Sequence, residues 1–451
     1  MSVYISNEIC FEDYEPSLLD WCKKNLVIPN PDYFKKQKLG LWLGNTPRVL
    51  ELYRIDNNRL YVPYGCAKAL RNYIYCCEKM INLNSEKVFF EDVQLPLYDY
   101  QQKAVASLIK SEGGILKSKA GSGKTQMAIA LMLKLGCKTL WLTHTQDLLK
   151  QSYSRAKQYV DEKYLGTITD GKVHIGTFTF ATVQTMAKLD LSLYRNTFGC
   201  VIVDECHRAA GTPTRVTQFS KVINALAARY KYGLSATVHR SDGLLKSLFA
   251  LIGDVSYVVP DEAASVMPVV VKPVELGTQK SFEYCDTDGT IVFAKFINYL
   301  AEDVGRNAYI ASIVDTNKSS LILSDRKRQL EMLREFIPGA VILTGDTSAK
   351  QRIEILRKMK SGEIKTLLST YSLAKEGLDI PRLEQLHFAT PVKDYAIVVQ
   401  SVGRVARTFE GKGQPLVFDY IDADIGMARK MWKERLKHYK KEGVEIEKYQ
   451  C

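Results

Sequence analysis

The sequence contains no apolar run approaching the ~18 residues of a membrane-spanning helix, which excludes an α-helical membrane span as its organising element. Its ten cysteines are scattered, and only Cys76 and Cys77 are neighbours. No CxxC pair occurs, which argues against a zinc module and for a reducing compartment. The first residues, "MSVYISNEICFEDYEP", are acidic and lack a basic-then-apolar leader, so no secretion signal is expected and the cytoplasm is the expected location, on the nucleoid or in a phage-infected host. No short-period repeat is present. Positive charge is not scarce: 62 Lys and Arg stand against 50 Asp and Glu, a formal charge of +12. That balance suggests a polyanionic partner, although a merely soluble basic surface is the alternative. Residues 1–95 hold 12 residues of each sign and are neutral, so the whole excess lies in 96–451.

A chain of 451 residues is too long for one core. Residues 1–92 are rich in Tyr and Trp, carry Pro/Gly punctuation ("VIPNPDY", "YVPYG") and read as a small α+β module. From about 96 short apolar runs alternate with amphipathic helical stretches: "GGILKSK" then "GKTQMAIALMLKLG", "KTLWLTH" then "TQDLLKQSYSRAKQYV", followed by "VHIGTF", "CVIVDE" and "KYGLSAT". Strand-then-helix alternation predicts a parallel sheet covered on both faces. The alternation restarts after "YVVPDEAASVMP", with "SSLILSD", "AVILTGD", "IKTLLST", "LEQLHFAT" and "PLVFDYI" as strands. The expected fold class is therefore α/β, with two tandem parallel-sheet domains behind a small α+β domain. Its expected divisions are 1–92, 93–262 and 263–451. The end, "MARKMWKERLKHYKKEGVEIEKYQ", reads as a basic amphipathic helix with a polar tail that packs on the second domain or touches a polyanion.

The segment "SKAGSGKTQ" (118–126) follows an apolar run and opens a predicted helix at 124–135. Gly121 and Gly123 let the backbone turn tightly, so that the N–H groups of Ala120, Gly121, Ser122 and Gly123 can surround phosphate oxygens. The helix N-terminus adds partial positive charge. Lys124 reaches the β- and γ-phosphates and Thr125 can hold Mg²⁺. Ser118 stands where the usual GxxxxGK[ST] pattern has its first glycine; a chance Gly/Ser turn is the alternative.

Such a loop needs a carboxylate on a neighbouring strand. "VIVDECHRAA" (201–210) supplies one: three β-branched residues run into Asp204, Glu205, Cys206 and His207. Asp204 is placed to hold the metal and Glu205 to orient and deprotonate the attacking water. Cys206 needs no chemical role. His207 lacks partners at ligand spacing, and beside a nucleotide site it is expected to couple nucleotide state to another segment. The cofactors expected are ATP and Mg²⁺.

Asp-Glu-Cys-His together with "AGSGKT" resembles the superfamily 2 helicases of the DExH type, and further segments stand in that family's order over about 97–420. "LYDYQ" (97–101) resembles the segment whose glutamine, here Gln101, reads adenine. "THTQDLLKQ" (143–151) and "FATVQTM" (180–186) resemble two DNA-backbone segments and imply contacts from Thr143, His144, Thr182 and Gln184. "GLSATVHRSDG" (233–243) carries Ser235, Ala236 and Thr237, the family's coupling motif. Its continuation through Arg240, Asp242 and Gly243 resembles double-strand DNA translocases more than RNA helicases. In the second domain "LILSDRKRQ", "LTGDT" and "STYSLAKEGLDIP" imply DNA contacts from Ser324, Arg326, Thr344 and Thr370 and nucleotide contacts from Gly377 and Asp379. "QSVGRVAR" (400–407) matches QxxGRxxR, which implies coupling through Gln400 and an arginine finger from Arg404 and Arg407; such a finger can be worth ~10³–10⁵ in rate. Two departures stand out. Lys375-Glu376-Gly377-Leu378-Asp379 replaces the ARGxD of the RNA-helicase branch, and "VHR" replaces the common "PxR" after Ser-Ala-Thr.

The phage-type branch-migration (UvsW-like) helicases place a small DNA-binding module ahead of two motor lobes of this size. "WCKKNLVIPNPDYFKKQKLGLW" (21–42) interleaves five lysines with Trp21, Tyr33, Phe34 and Trp42, a pattern that can hold phosphates and stack on bases. The alternative is that these aromatics form the module's own core. The resemblance thus implies a monomeric ATP-driven motor acting on branched or double-stranded DNA, without a membrane. A strand-separating helicase, the motor of a restriction or repair complex, an ATP-gated nucleic-acid clamp and an RNA helicase are the alternatives. The intact Glu205, Arg404 and Arg407 argue against the clamp.

Overall fold

The computed structural model describes the chain except residues 89–92, 94, 120, 210–216, 237–243, 261–266, 376–377, 379, 393 and 450–451. It divides into two compact units, residues 1–264 without 120–122, and the remainder through residue 451. Among the described residues no helix is long and apolar enough to cross a membrane.

The first unit begins with a five-stranded sheet in the order Arg54–Asp56, Arg59–Pro63, Glu8–Glu12, Ser2–Ile5, Glu78–Ile81. Asn57 and Asn58 both adopt positive φ (46° and 62°), the two-residue hairpin geometry that asparagine tolerates. The helix Pro16–Asn25 supplies Leu18 and Cys22 to a core with Val3, Ile9, Phe11, Leu60 and Val62. The module is seated on the α/β lobe behind it. Tyr64 Oη donates to Arg229 O (2.8 Å), Arg195 reaches Asn7 Oδ1 (2.8 Å), and Ala250 of the lobe enters the module's core.

The lobe itself is an eight-stranded sheet in the order Lys172–His174, Leu165–Thr169, Phe178–Thr182, Thr139–Thr143, Cys200–Asp204, Tyr230–Ser235, Gly113–Lys117, Val255–Val258. Every pairing is parallel except that of Lys172–His174 with Leu165–Thr169. Successive residues feed opposite faces: Leu116, Trp141 and Ile202 enter one buried cluster, while Ile115, Leu140, Leu142, Val201 and Val203 enter the other. Both faces are dry, and for that reason these strands read as unbroken apolar runs. The run "VHIGTF" divides: Lys172–His174 is an antiparallel edge, and the central strand starts only at Phe178.

The second unit carries a seven-stranded, wholly parallel sheet in the order Val341–Leu343, Thr366–Thr370, Ser320–Ser324, Gln385–Phe388, Leu416–Asp422, Val270–Leu276, Glu445–Ile446. Val270–Leu276 went unread in the sequence because Pro273 interrupts it, and proline cannot donate to a ladder. The structure accommodates Pro273 because only Val270 and Val271 are paired on that strand's outer side. The terminal basic helix Gly426–Lys441 packs on this lobe. Its Arg435 is buried, donating to both oxygens of Asp419 and to Val392 O, and Tyr439 Oη donates to the same carboxylate. Arg306 makes a second buried pair with Asp422 and also donates to Ala389 O. Part of the lobe's positive charge is thus internal and neutralised.

Candidate nucleotide site and nucleic-acid interface

The strand Gly113–Lys117 delivers the chain to the glycine loop, and the helix Lys124–Leu135 leaves it. Gly121 and Gly123 hold φ of +89° and +80°, a conformation that costs other residues. Gly123 is also crowded: a Cβ there would lie 2.4 Å from Gln101 Nε2. Gln101 is buried, its Oε1 accepting from Tyr98 N at the start of the helix Asp99–Ser111, so its amide lies against the loop. Lys124 Nζ donates to the carbonyls of Ser118 (3.0 Å) and Lys119 (3.2 Å), curled into its own loop. Ser122 is buried, Thr125 is half-buried at the second helical position, and Ala120 lies outside the described residues.

Two strands away in the sheet, Cys200–Asp204 ends on its carboxylate. Asp204 Oδ1 accepts from Glu205 N (3.0 Å), and Glu205 takes a left-handed turn with φ 48°. Burial, and then the charge of Glu205, push the Asp204 carboxyl up to about 7, against the pull of Lys124. Burial also acts to raise Glu205, but the hydrogen bond from His207 and the charges of Lys124, His207 and His144 outweigh it and hold that carboxyl low. His207 Nδ1 stands 3.3 Å from Glu205 Oε2 and 3.0 Å from Ser235 Oγ. The imidazole therefore bridges the carboxylate and the end of the strand Tyr230–Ser235. Thr237, and with it Arg240, Asp242 and Gly243, lies outside the described residues.

The backbone segments of the first lobe are tied to one another. Thr143 is fully buried and donates to Thr145 O (3.1 Å); Thr182 Oγ1 pairs with Thr185 Oγ1 (2.9 Å); Gln184 Nε2 donates to His144 O (2.7 Å). His144 carries a signal that its sequence position did not give. Both ring nitrogens are buried without a hydrogen-bond partner among the described residues, and burial, then Arg208, lowers its pKa to about 4. The charge this ring takes on when protonated is felt by Glu205, so His144 stands among the groups around the carboxylate pair.

In the second lobe Ser324 is fully buried, donating to Gln329 Oε1 (2.6 Å) and accepting from Arg326 N. Arg326 is held by Asp325 and by Asn298 Oδ1. Thr344 is buried, and Thr370 Oγ1 pairs with Ser372 Oγ (3.1 Å). Gln400 is buried with Oε1 unpartnered among the described residues. Arg404 is buried and donates to the carbonyls of Leu378 and Ala374, while Arg407 is half-buried just past the end of the helix Tyr395–Val405. Gly377 and Asp379 lie outside the described residues.

Residues 21–42 divide: Cys22 and Leu26 enter the module's core with Trp21 packed against it, whereas the later aromatics do not. The helix Pro31–Lys38 has no buried residue. Phe34, Leu39, Leu41 and Trp42 are exposed, Trp42 to 88%. Their segment is nonetheless braced. Val27–Pro29 pairs with Val49–Glu51 at its base, Asn30 Nδ2 donates to Pro47 O (2.7 Å), and Lys36 Nζ donates to Thr46 Oγ1 (2.7 Å).

Residues 94–240 match the family described as Type III restriction enzyme, res subunit, and residues 305–409 match the helicase conserved C-terminal domain. With the motifs and the tandem parallel sheets, these matches define a superfamily 2 helicase, an ATP-dependent enzyme. Its similarities run to viral helicases. ATP-dependent RNA helicase L396 of Acanthamoeba polyphaga mimivirus is 27% identical, over 77% of this chain and 67% of that one. Helicase D10 of Escherichia phage T5 is also 27% identical, over 93% and 90%. The fold is shared with the helicase MrfA, whose structure bound to DNA and AMPPNP aligns at 15% identity and TM-score 0.53, covering 85% of this chain and 58% of that one.

Proposed function

We propose that this helicase is a DNA translocase that remodels branched DNA, moving junctions or reversing forks, with residues 1–92 as the element that engages the branch. The observation that carries this reading is the braced Phe34–Trp42 hook. Exposed aromatic and aliphatic side chains stand among Lys35, Lys36 and Lys38 on a module seated on the first lobe. Bases stack on such rings whatever their sequence, and lysines hold the backbone. A fixed head ahead of a motor suits a substrate with unpaired bases beside a duplex.

In this reading Gly121, Gly123 and Lys124 cradle the triphosphate, with Gln101 against the base. Thr125 and Asp204 offer hydroxyl and carboxylate oxygens, the donor set magnesium takes. The strain of Asp204 beside Glu205 is what a divalent cation would relieve. Bound there, the ion would neutralise developing charge on the phosphates. Glu205, kept ionised by His207, takes the proton of the attacking water. Arg404 and Arg407 are the second lobe's contribution to turnover. The name of the mimivirus relative favours RNA as the second reading. The test offers four-way junctions, forks, blunt duplex and tailed duplex in DNA and RNA versions, scoring ATPase stimulation and products. Junction processing without extensive unwinding of tailed duplex supports the proposal; activity on RNA alone overturns it.

A further inference from the structure

The second lobe holds a cavity of about 190 Å³ that none of the helicase segments explains. It is built at the N-terminal edge of the sheet, where Ser319, Lys365 and Glu384 immediately precede the strands Ser320–Ser324, Thr366–Thr370 and Gln385–Phe388. The backbone segments implicated in nucleic-acid contact leave the opposite edge, roughly 16 Å away at ~3.3 Å per residue.

Its lining combines positive charge with unused donors. The Arg382 guanidinium is wedged in place. It lies 5.1 Å from the Phe409 ring centre, one nitrogen donates to Ser361 O (3.2 Å), and a Cβ on Gly362 would fall 1.9 Å from it. Arg382 Nε is buried without a hydrogen-bond partner among the described residues, and so is Ser319 Oγ, on a residue 7% exposed. A buried donor left unmade is costly, and two beside one cavity call for a shared acceptor. Lys412 forms a positive wall; its ammonium donates to the carbonyls of Pro381, Val405 (2.6 Å) and Arg407 (2.7 Å) and so has no proton to spare. Lys365 is exposed at the rim. Of the two carboxylates, Glu384 already accepts from Gly413 N, and Glu410 is exposed.

We propose that this cavity binds a compact phosphate-class oxyanion, with Ser319, Arg382 and Lys365 as its donors. The donors come from two strand ends and a turn, so the acceptor must present oxygens in several directions, as a tetrahedral anion does. Arginine's fixed fork suits it. The anion comes either from free phosphate or from a nucleic-acid backbone. Through Lys412, an occupant would also bear on the segment that carries Arg407.

The experiment uses the full chain carrying Lys124→Ala, which removes the glycine loop's own phosphate response and makes the result independent of the ATP reading. Thermal melting is followed against inorganic phosphate, with chloride at matched ionic strength. Phosphate should raise the midpoint, and adding Ser319→Ala or Arg382→Gln should weaken its apparent affinity by about tenfold or more, the worth of a hydrogen bond to a charged group. Without phosphate the Ser319→Ala chain should melt no earlier than its parent, because the substitution removes an unsatisfied hydroxyl; this keeps the test valid if Arg382→Gln fails to fold. A single-stranded oligonucleotide titration separates the sources: weakened DNA binding in Ser319→Ala assigns the backbone, and unchanged DNA binding assigns free phosphate. No phosphate response, or one that Ser319→Ala leaves intact, overturns the site.

Discussion

Arg404 Nη2 donates to the carbonyl oxygen of Ala374, and its Nη1 to that of Leu378. An arginine of the QxxGRxxR pattern is thus spent, in this conformation, on bracing the helix Tyr371–Lys375 and Leu378 beyond it. A charge anchored in this way is pre-positioned, and it also carries structural weight. Arg404→Lys, which lacks the planar fork, should lower the second lobe's stability by about 1–3 kcal/mol and slow ATP turnover. Denaturant unfolding and steady-state ATPase check both; an unmoved unfolding midpoint would remove the bracing role. Arg407→Gln should reduce DNA-stimulated turnover by about 10³.

The pairing of Glu205 with His207 predicts a separation of binding from chemistry. Glu205→Gln should retain ATP binding, measured with a fluorescent nucleotide, and lose at least ~10² in kcat. Lys124→Ala should lose turnover as well, and normal turnover there would take the glycine loop out of the mechanism.

At Gly65 the N-terminal module lies directly against the backbone of the first lobe. A Cβ on this glycine would lie 2.5 Å from Ala250 O and 2.6 Å from Phe249 O, backbone atoms that cannot swing aside. Gly65→Leu should therefore loosen the module at a cost of about 1–3 kcal/mol, seen as faster proteolysis after residue 81. Basal ATPase should persist.

Lys231 is buried beside that interface, donating to Ile223 O and lying 4.9 Å from the Tyr64 ring centre. Burial pushes its pKa down to about 7. The unfolded chain keeps that proton to about pH 10.4. Between these values the unfolded state binds more protons, so stability should rise with pH, the penalty being full below pH 7. Lys231→Met should flatten this contribution, by a few kcal/mol across the window. Denaturant unfolding of both chains from pH 7 to 10 reads the difference.

Trp42 should matter to DNA and not to folding. Its exposure predicts that Trp42→Ala leaves melting unchanged while weakening binding to junction or single-stranded DNA by about 1–3 kcal/mol. Equal affinity for both chains would leave substrate choice to the motor lobes.

The alternation of buried runs with amphipathic helices was legible in the sequence because two dry faces demand continuous apolar strands and the glycine loop demands its residues at one spacing. Pattern and motif spacing pointed to two α/β lobes, a phosphate loop and a carboxylate pair. Long-range contact decided the rest. Pro273 belongs to a strand because that strand's outer flank is open. The basic terminal helix is anchored because Asp419 lies beneath Arg435. The aromatics of 21–42 divide between a half-buried Trp21 and an exposed Trp42, which no spacing distinguishes. His144 stands among the groups around Glu205 because parallel strands end at one edge, and Ser319 comes to share a cavity with Arg382 for the same reason at the other. Periodicity reports which face a residue takes, whereas its neighbours depend on strand order, and strand order is settled only when the sheet assembles.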